Sequence, residues 1–537
     1  MTRTASTSPW EEIVTSALLG TDRRTPPAGL TPAGKDAPVA LLDAAALHTV
    51  RRRAGLRPAT PTGTAPEPAP HDARPALPEP ARRRLVQLLA DRAGPSGTGG
   101  RRGTAPDLTE LLPQWLAAAN DHGYGAPPSV LPALLDAARA RTDLRPQALE
   151  FAGPRGLWLA RLNPEWKYAL RGGSAGSALP AMDDAEAIRT LWEEGLFAER
   201  VALLAAVRAH DAGAALTLLG TTWPTERAED RLMFLDSLRA GLSDADEPFL
   251  EQALSDRSRN VRSTAAELLS ALPSSALAGR MAARAASCVA IDRSGDTTGA
   301  ITVEAPHECD ADMQRDGIAP TPPSGRGERS WWLGQLVEAA PLSVWPGRLG
   351  GRSPEEIVAL PVSDGWADEL HAAWCRAAAR QRDAEWSRAL LGSPSTSPST
   401  GPGTTSPAER SKLLAALPDD ERAFWVARFI AAHGLPEAFQ LLGVCAVPWA
   451  EPLGRAVVDA LEIARDAGSY PWSFSGVMGL AERCLSPEEA ARLEILTATP
   501  DDQEDASPGA GSYWSEAFQR LVSTLRLRAT MSKELAP

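Results

Sequence analysis

The sequence predicts an all-α protein of stacked αα-hairpins, with a small irregular insert carrying a β-hairpin and with flexible linkers between helical stretches. Three observations lead there. Apolar residues recur at helical spacing along most of the 537 residues. Alanine, the strongest helix former, supplies much of the 43% apolar fraction. The helical stretches are also cut by Pro, Gly and polar clusters into short pairs, and a pair with one apolar side cannot bury it without a stacked neighbour.

The clearest pair spans residues 248–272. Phe249, Leu250, Ala253 and Leu254 share one helical face, and Pro248 suits the first turn, where its missing amide hydrogen costs nothing. The polar stretch 255–260 interrupts the pattern. Val261, Ala265, Leu268, Leu269 and Leu272 then mark a second helix, which Pro273 ends. On Asp256, Val261-Arg262, Ala265, Leu268 and Leu269 this unit resembles a HEAT repeat. The resemblance implies a HEAT-like α-solenoid, with Asp256 and Arg262 as structural members of an ion-pair ladder between adjacent repeats. A weaker copy lies 34 positions upstream, setting Phe234 on Leu268, Leu235 on Leu269 and Leu238 on Leu272. Thr222 replaces Asp256 there and Ala228 replaces Arg262, so the ladder is not continuous.

The remaining elements follow in order. Trp10, Ile13, Val14, Ala17 and Leu18 form the face of a first helix, stopped by Gly20; Leu41, Leu42, Ala45 and Leu47 mark a second. Together they make an N-terminal helical segment, 1–56, followed by a Pro/Gly-rich linker, 57–107, with one short helix around Leu85, Leu88 and Leu89. A helical-repeat core is expected over 108–290, in which Asn163 and Pro164 start a short helix as cap and first-turn residue. An irregular insert occupies 291–329, where residues 289–291 and 300–303 read as two short strands. A C-terminal helical region, 330–537, carries a disordered insert at 392–408 and closes on Trp514, Phe518, Leu521, Val522 and Leu525 along one helical face.

The net charge is −13, but residues 1–106 hold 15 basic and nine acidic side chains, so the rest of the chain carries the acidic excess. An acidic body argues against phosphate-backbone binding and makes nucleic acid an unlikely partner, while the basic N-terminal part keeps that alternative open. The five cysteines are scattered without a CxxC pair, which fits a reduced, cytoplasmic protein better than a disulfide framework. No run of about 18 apolar residues is present, so no membrane span is expected.

The segments 10–24 (WEEIVTSALLGTDRR) and 162–170 (LNPEWKYAL), the 230–290 core and the closing helix are together similar to an uncharacterised bacterial domain-of-unknown-function family. That resemblance implies association with a MoxR-type AAA ATPase, a von Willebrand A protein and a SWIM zinc-finger protein, and so a part in ATPase-dependent assembly or remodelling.

Candidate chemistry is sparse. Gly172-Gly173-Ser174-Ala175-Gly176 matches a nucleophile-elbow string but follows a helical rather than a strand pattern, and reads as a flexible loop. His307-Glu308-Cys309-Asp310 with Asp312 is the densest set of metal-ligand types, without the second spaced pair a structural zinc site needs. Asp292 to Asp296 lacks the Gly and Glu of a calcium loop, and Gly94 to Gly103 lacks the Gly-Lys-Ser/Thr ending of a phosphate loop. The arginine triplets at 51–53 and 82–84 read as solvated helix ends. Among the 16 tryptophans, Trp331 and Trp332 are read as exposed anchors for a partner. No catalytic, cofactor-binding or metal residue is assigned, and no cofactor is expected. The function expected is a non-enzymatic helical-repeat scaffold or adaptor for a protein partner, an AAA ATPase or von Willebrand A protein by the family resemblance. The alternatives are an enzyme built from dispersed carboxylates and arginines, and nucleic-acid binding through the N-terminal part.

Overall fold

The computed structural model of the chain describes residues 9–24, 36–54, 66–69, 71–90, 105–171, 179–180, 182–292, 299–396, 406–498 and 510–536. Among the described residues there are 27 α-helices and one two-stranded sheet, the all-α helical-repeat class that the apolar periodicity predicts. None of these helices is long and apolar enough to cross a membrane. The chain divides into two compact units, Met1–Pro68 and Ala69–Pro537.

The first unit holds helices Pro9–Leu19 and Ala37–Arg53, which pack through Ile13, Leu41 and Ala44. The second unit is made of successive helix pairs. Phe197–His210 packs on its neighbour Ala212–Thr222 and on the next helix but one, Ala228–Ser237; that helix in turn packs on Arg259–Ser270. The pattern resumes from Ala276–Cys288 to Glu328–Ala339, then to Ala367–Gln381, then to Pro407–Ala415. Contact with the neighbour and with the helix beyond it is how stacked hairpins share one core. Leu250, Val261, Ala265, Leu268 and Leu269 are all buried in it, as their spacing predicts, and so are Phe234, Leu235 and Leu238 of the weaker upstream copy.

Tryptophan supplies much of that core's bulk. Trp345, Trp374 and Trp386 form a chain of ring contacts at 5.7 and 5.5 Å, and Trp192 lies 5.3 Å from Phe234. Such tilted and edge-on pairs add stability beyond the area they bury.

Arginine ties one helix pair to the next. Asp256 does take part in such a tie, but its carboxylate pairs with Arg231 of the preceding pair, accepting one hydrogen bond from a terminal guanidinium nitrogen at 2.9 Å. Arg262 instead donates to the Asp256 carbonyl at 2.7 Å. The ladder therefore exists in a different register from the one the repeat resemblance implies, and its upstream rung is Arg200 with Glu226, where Thr222 also accepts from Arg200. Arg208 and Asp246 form the most deeply buried rung, bidentate at 2.9 and 2.7 Å with side chains 2% and 0% exposed. Arg208 also donates to the carbonyls of Leu238, Ala240 and Gly241, while Asp246 accepts from the Ser243 amide. Every polar atom of the pair is satisfied, the condition under which a buried ion pair is tolerated.

The irregular insert contains the expected hairpin: β1 (Val289–Asp292) and β2 (Ala300–Val303) pair antiparallel, with Val289 opposite Val303 and Ile291 opposite Ile301. Asp316 pins the following loop to the repeats. Its side chain is fully buried and accepts from Arg280 at 3.0 and 3.1 Å and from Arg284 at 2.7 Å. Burial pushes its carboxyl up, and the hydrogen bonds from the two arginines outweigh that and hold it below its ordinary 3.8. Gly317 then turns with φ +93° so close to Ala266 that a Cβ would sit 2.4 Å from the alanine methyl, which excludes any other residue.

The last helix, Ala510–Leu535, buries Trp514, Phe518, Leu521, Val522 and Leu525, as its periodicity predicts. It also meets the first helices of the same unit, Glu79–Ala90 and Leu108–Asp121. Arg84 donates to Glu534 at 3.0 and 2.8 Å, and the Tyr124 hydroxyl donates to the Leu535 carbonyl at 3.1 Å. Of the 82–84 triplet, only Arg82 and Arg83 are helix-end charges, paired with Glu79.

Two outcomes follow. Arg208→Met strands the Asp246 carboxylate in the core and costs about 3–5 kcal/mol in urea denaturation, of which the Arg208→Met/Asp246→Leu double variant recovers a large part. Asp316 has a folded pKa depressed below 3.8, so its contribution is complete well above that value and is lost as pH falls through it. Urea midpoints measured from neutral to acid pH should show Asp316→Asn below the parent near neutrality and the two converging below about pH 4.

Candidate functional site

The ends of five helices meet around one cleft of 920 Å³. Arg239 follows Ala228–Ser237; Glu267 and Leu268 close Arg259–Ser270; Glu338 closes Glu328–Ala339; Arg376 and Arg380 close Ala367–Gln381; and Lys412 closes Pro407–Ala415. All five ends are C-terminal, because helices that occupy equivalent places in successive pairs run the same way. Cations are favoured there, since each end carries a partial negative charge and carbonyls without intrahelical partners.

The lining holds five cations, Arg239, Arg376, Arg380, Arg382 and Lys412, against two carboxylates, Glu267 and Glu338, in a chain whose net charge is −13. Three of the cations are already engaged. Arg239 grips Glu267 through two bonds of 3.0 Å and Asp236 at 2.7 Å, which raises its pKa further. Arg376 and Arg380 share Glu338, Arg376 at 2.5 Å, and Arg380 also donates to the Ser270 hydroxyl at 2.9 Å. Gln381 spans the Ala340 carbonyl and the Leu342 amide, which fixes the cleft floor.

Arg382 and Lys412 differ from these three. Both are exposed on the cleft, and neither has a carboxylate within ion-pair distance among the described residues. Arg382 stands at φ +52°, ψ +40°, the left-handed position after a helix that glycine normally fills. An arginine there costs about 1 kcal/mol. Local stability therefore does not explain the choice, whereas a guanidinium placed over the cleft does.

The residues singled out in the sequence lie elsewhere. Asp256 and Arg262 serve the interior ties already described. Trp331 and Trp332 are not exposed anchors: Trp332 is buried and Trp331 half-buried, and their indole N–H groups donate to the carbonyls of Pro320 and Ala319 at 2.9 and 2.8 Å. Two adjacent tryptophans at the start of a helix hold down the insert's loop instead. Asp310 caps the short helix Ala311–Arg315 through the Met313 amide, and His307 is exposed beside Glu304. Among the described residues no group of three or more His, Cys, Asp or Glu is placed to hold a metal. The glycine-serine string at 172–176 and the stretches 94–103 and 293–296 lie outside the described residues. Four of the five cysteines are buried, and burial pushes the Cys375 thiol up to about 12 and Cys445 up to about 11, so both are protonated packing residues.

The signal that could have found the cleft is faint. Lys412 is one of only four lysines, and Gln381-Arg382 is a helix end without glycine. Neither says that the two meet.

No curated protein and no solved structure matches the chain. The model of a family of unknown function, DUF5691, matches residues 12–535, nearly the whole length, and the chain belongs to that family.

Proposed function

We propose that the chain is a non-enzymatic helical-repeat scaffold or adaptor whose basic cleft holds an extended acidic segment of a protein partner. The observation that carries this reading is the pair Arg382 and Lys412, two exposed cations on the cleft without carboxylate partners among the described residues. Carboxylates of the segment meet the two cations.

The lining chemistry favours holding over reacting. An enzyme of dispersed carboxylates needs one free to meet a substrate, and the two carboxylates of the lining, Glu267 and Glu338, are both engaged by arginines. The family resemblance makes a MoxR-type AAA ATPase and a von Willebrand A protein the first partners to test, in the cytoplasm.

Arg382→Glu/Lys412→Glu changes two exposed side chains and leaves the fold intact. Against a glutamate-rich peptide, and against each purified candidate partner, the parent should bind with a marked salt dependence, and the double variant at least about tenfold more weakly. Equal affinities, no binding to peptide or partner, or a preference for a single-stranded oligonucleotide over the peptide would end the reading. Arg382→Gly separates the roles further: it should raise stability by about 0.5–1 kcal/mol by relieving the left-handed arginine while weakening peptide binding. Denaturation and calorimetry on the same sample check both.

A further inference from the structure

A second cavity, of 580 Å³, lies between helices Leu435–Leu442 and Ser475–Cys484, the turn Pro471–Phe474 and the closing helix. Its size falls within the roughly 300–1,000 Å³ of small-molecule sites. Phe439, Trp472 and Tyr513 line it. Among the described residues three aromatic side chains count as exposed large apolar groups, Phe424, Phe439 and Trp472, and two of the three stand at this cavity, 42% and 55% exposed. Leaving two large rings in water is unfavourable, and here both rings face the same space.

Two glycines shape that space. Gly476 and Gly479 lie three residues apart on one helix, and glycine inside a helix costs about 1 kcal/mol against alanine. Gly476 lets the Phe439 ring lie on the helix backbone, since a Cβ would sit 3.0 Å from it. Gly479 has no such reason: a Cβ there would meet only the Arg483 guanidinium, at 3.8 Å, and neither glycine has a positive φ. What the missing side chain of Gly479 preserves is the cavity.

The charged part of the wall is two arginines and one glutamate. Arg483 is held by Glu110 through one nitrogen at 3.3 Å, and Arg520 by Glu482 through its Nε at 2.7 Å. A guanidinium carries five N–H donors in a plane, so each keeps donors beyond the bond that orients it. Glu516, a turn before Arg520, also lines the wall, so the arginines offer directed N–H donors rather than an excess of charge. A cationic ligand would meet both arginines, and a purely apolar one would leave their donors unused.

We propose that this cavity binds a small planar aromatic compound bearing a negatively charged group. The ring lies among Phe439, Trp472 and Tyr513, over the bare backbone at Gly479, and the charged group accepts from Arg483 and Arg520. The probes are anilinonaphthalene sulfonate and its uncharged counterpart N-phenylnaphthylamine, titrated by fluorescence into the full chain. The sulfonate should saturate a single site per chain. Gly479→Leu, which fills the space, and Trp472→Ala, which removes an exposed ring, should each weaken both dyes at least about tenfold, with the Trp472→Ala melt unchanged. Arg483→Met should weaken the sulfonate about tenfold and the uncharged dye by less than about twofold. Should Gly479→Leu fail to fold, Trp472→Ala decides. Unsaturable binding, undiminished affinity in Trp472→Ala, or equal loss of both dyes in Arg483→Met overturns the proposal.

Discussion

A pair as short as Glu247–Ala253 with Arg259–Ser270 has one apolar side and no means of hiding it alone. Hydrophobic burial in this molecule is therefore a property of contacts between pairs. That constraint explains why Leu250, Val261 and Leu269 are fully buried although each belongs to a helix of modest length. It also explains the arginines. Apolar stacking is non-directional, so it does not specify how far one pair rotates on the next. A planar guanidinium held by a carboxylate on the neighbouring pair does. Arg200 with Glu226 and Arg231 with Asp256 fix two successive relations of this kind, and Arg208 with Asp246 spans across both. The exposed ties add little energy, and their part is orientation.

The same stacking sets where the basic cleft forms. Helices in equivalent places run in parallel, so their C-termini gather along one edge, and the partial negative charge of those ends draws cations to it. A basic cleft in an acidic chain is thus a consequence of repetition. Most of its cations are absorbed by Glu267 and Glu338. Arg382 and Lys412 exceed what the helix ends and the carboxylates require, and that excess is what the proposed acidic partner would meet.

Much of the architecture was legible in the chain, because burial imposes a period on the sequence. Phe234 and Leu235, the hairpin residues 289–291 and 300–303, and Trp514 to Leu525 were each readable from spacing alone. Partner choice was not legible. Asp256 looks towards Arg262 in sequence, yet takes Arg231, because the distance that matters crosses between pairs. Trp331 and Trp332 resemble exposed anchors, yet the insert's loop folds over them and their N–H groups find its carbonyls. The cavity at 471–484 was not legible either: Val477, Met478, Ala481 and Cys484 keep the period of a buried helical face, and that period says nothing about the other face, which carries Gly476 and Gly479. Position within a helix can be read locally, whereas what a side chain meets beyond its own helix cannot.

The two candidate sites differ in what holds them open. The cleft is framed by ends of pairs that already share one core, so the binding proposed there would draw on surface charge and leave packing undisturbed. The aromatic cavity is framed by the closing helix, which also reaches the first helices of the same unit, through Arg84 with Glu534 and Tyr124 with Leu535. Its wall residue Arg483 is oriented by Glu110, and the Arg483 carbonyl accepts from Gln114, both on the helix Leu108–Asp121. The cavity's shape is thereby set by residues more than 350 positions away in the chain. Any ligand that orders the Arg483 guanidinium bears on the same contacts that join the unit's first helices to its last.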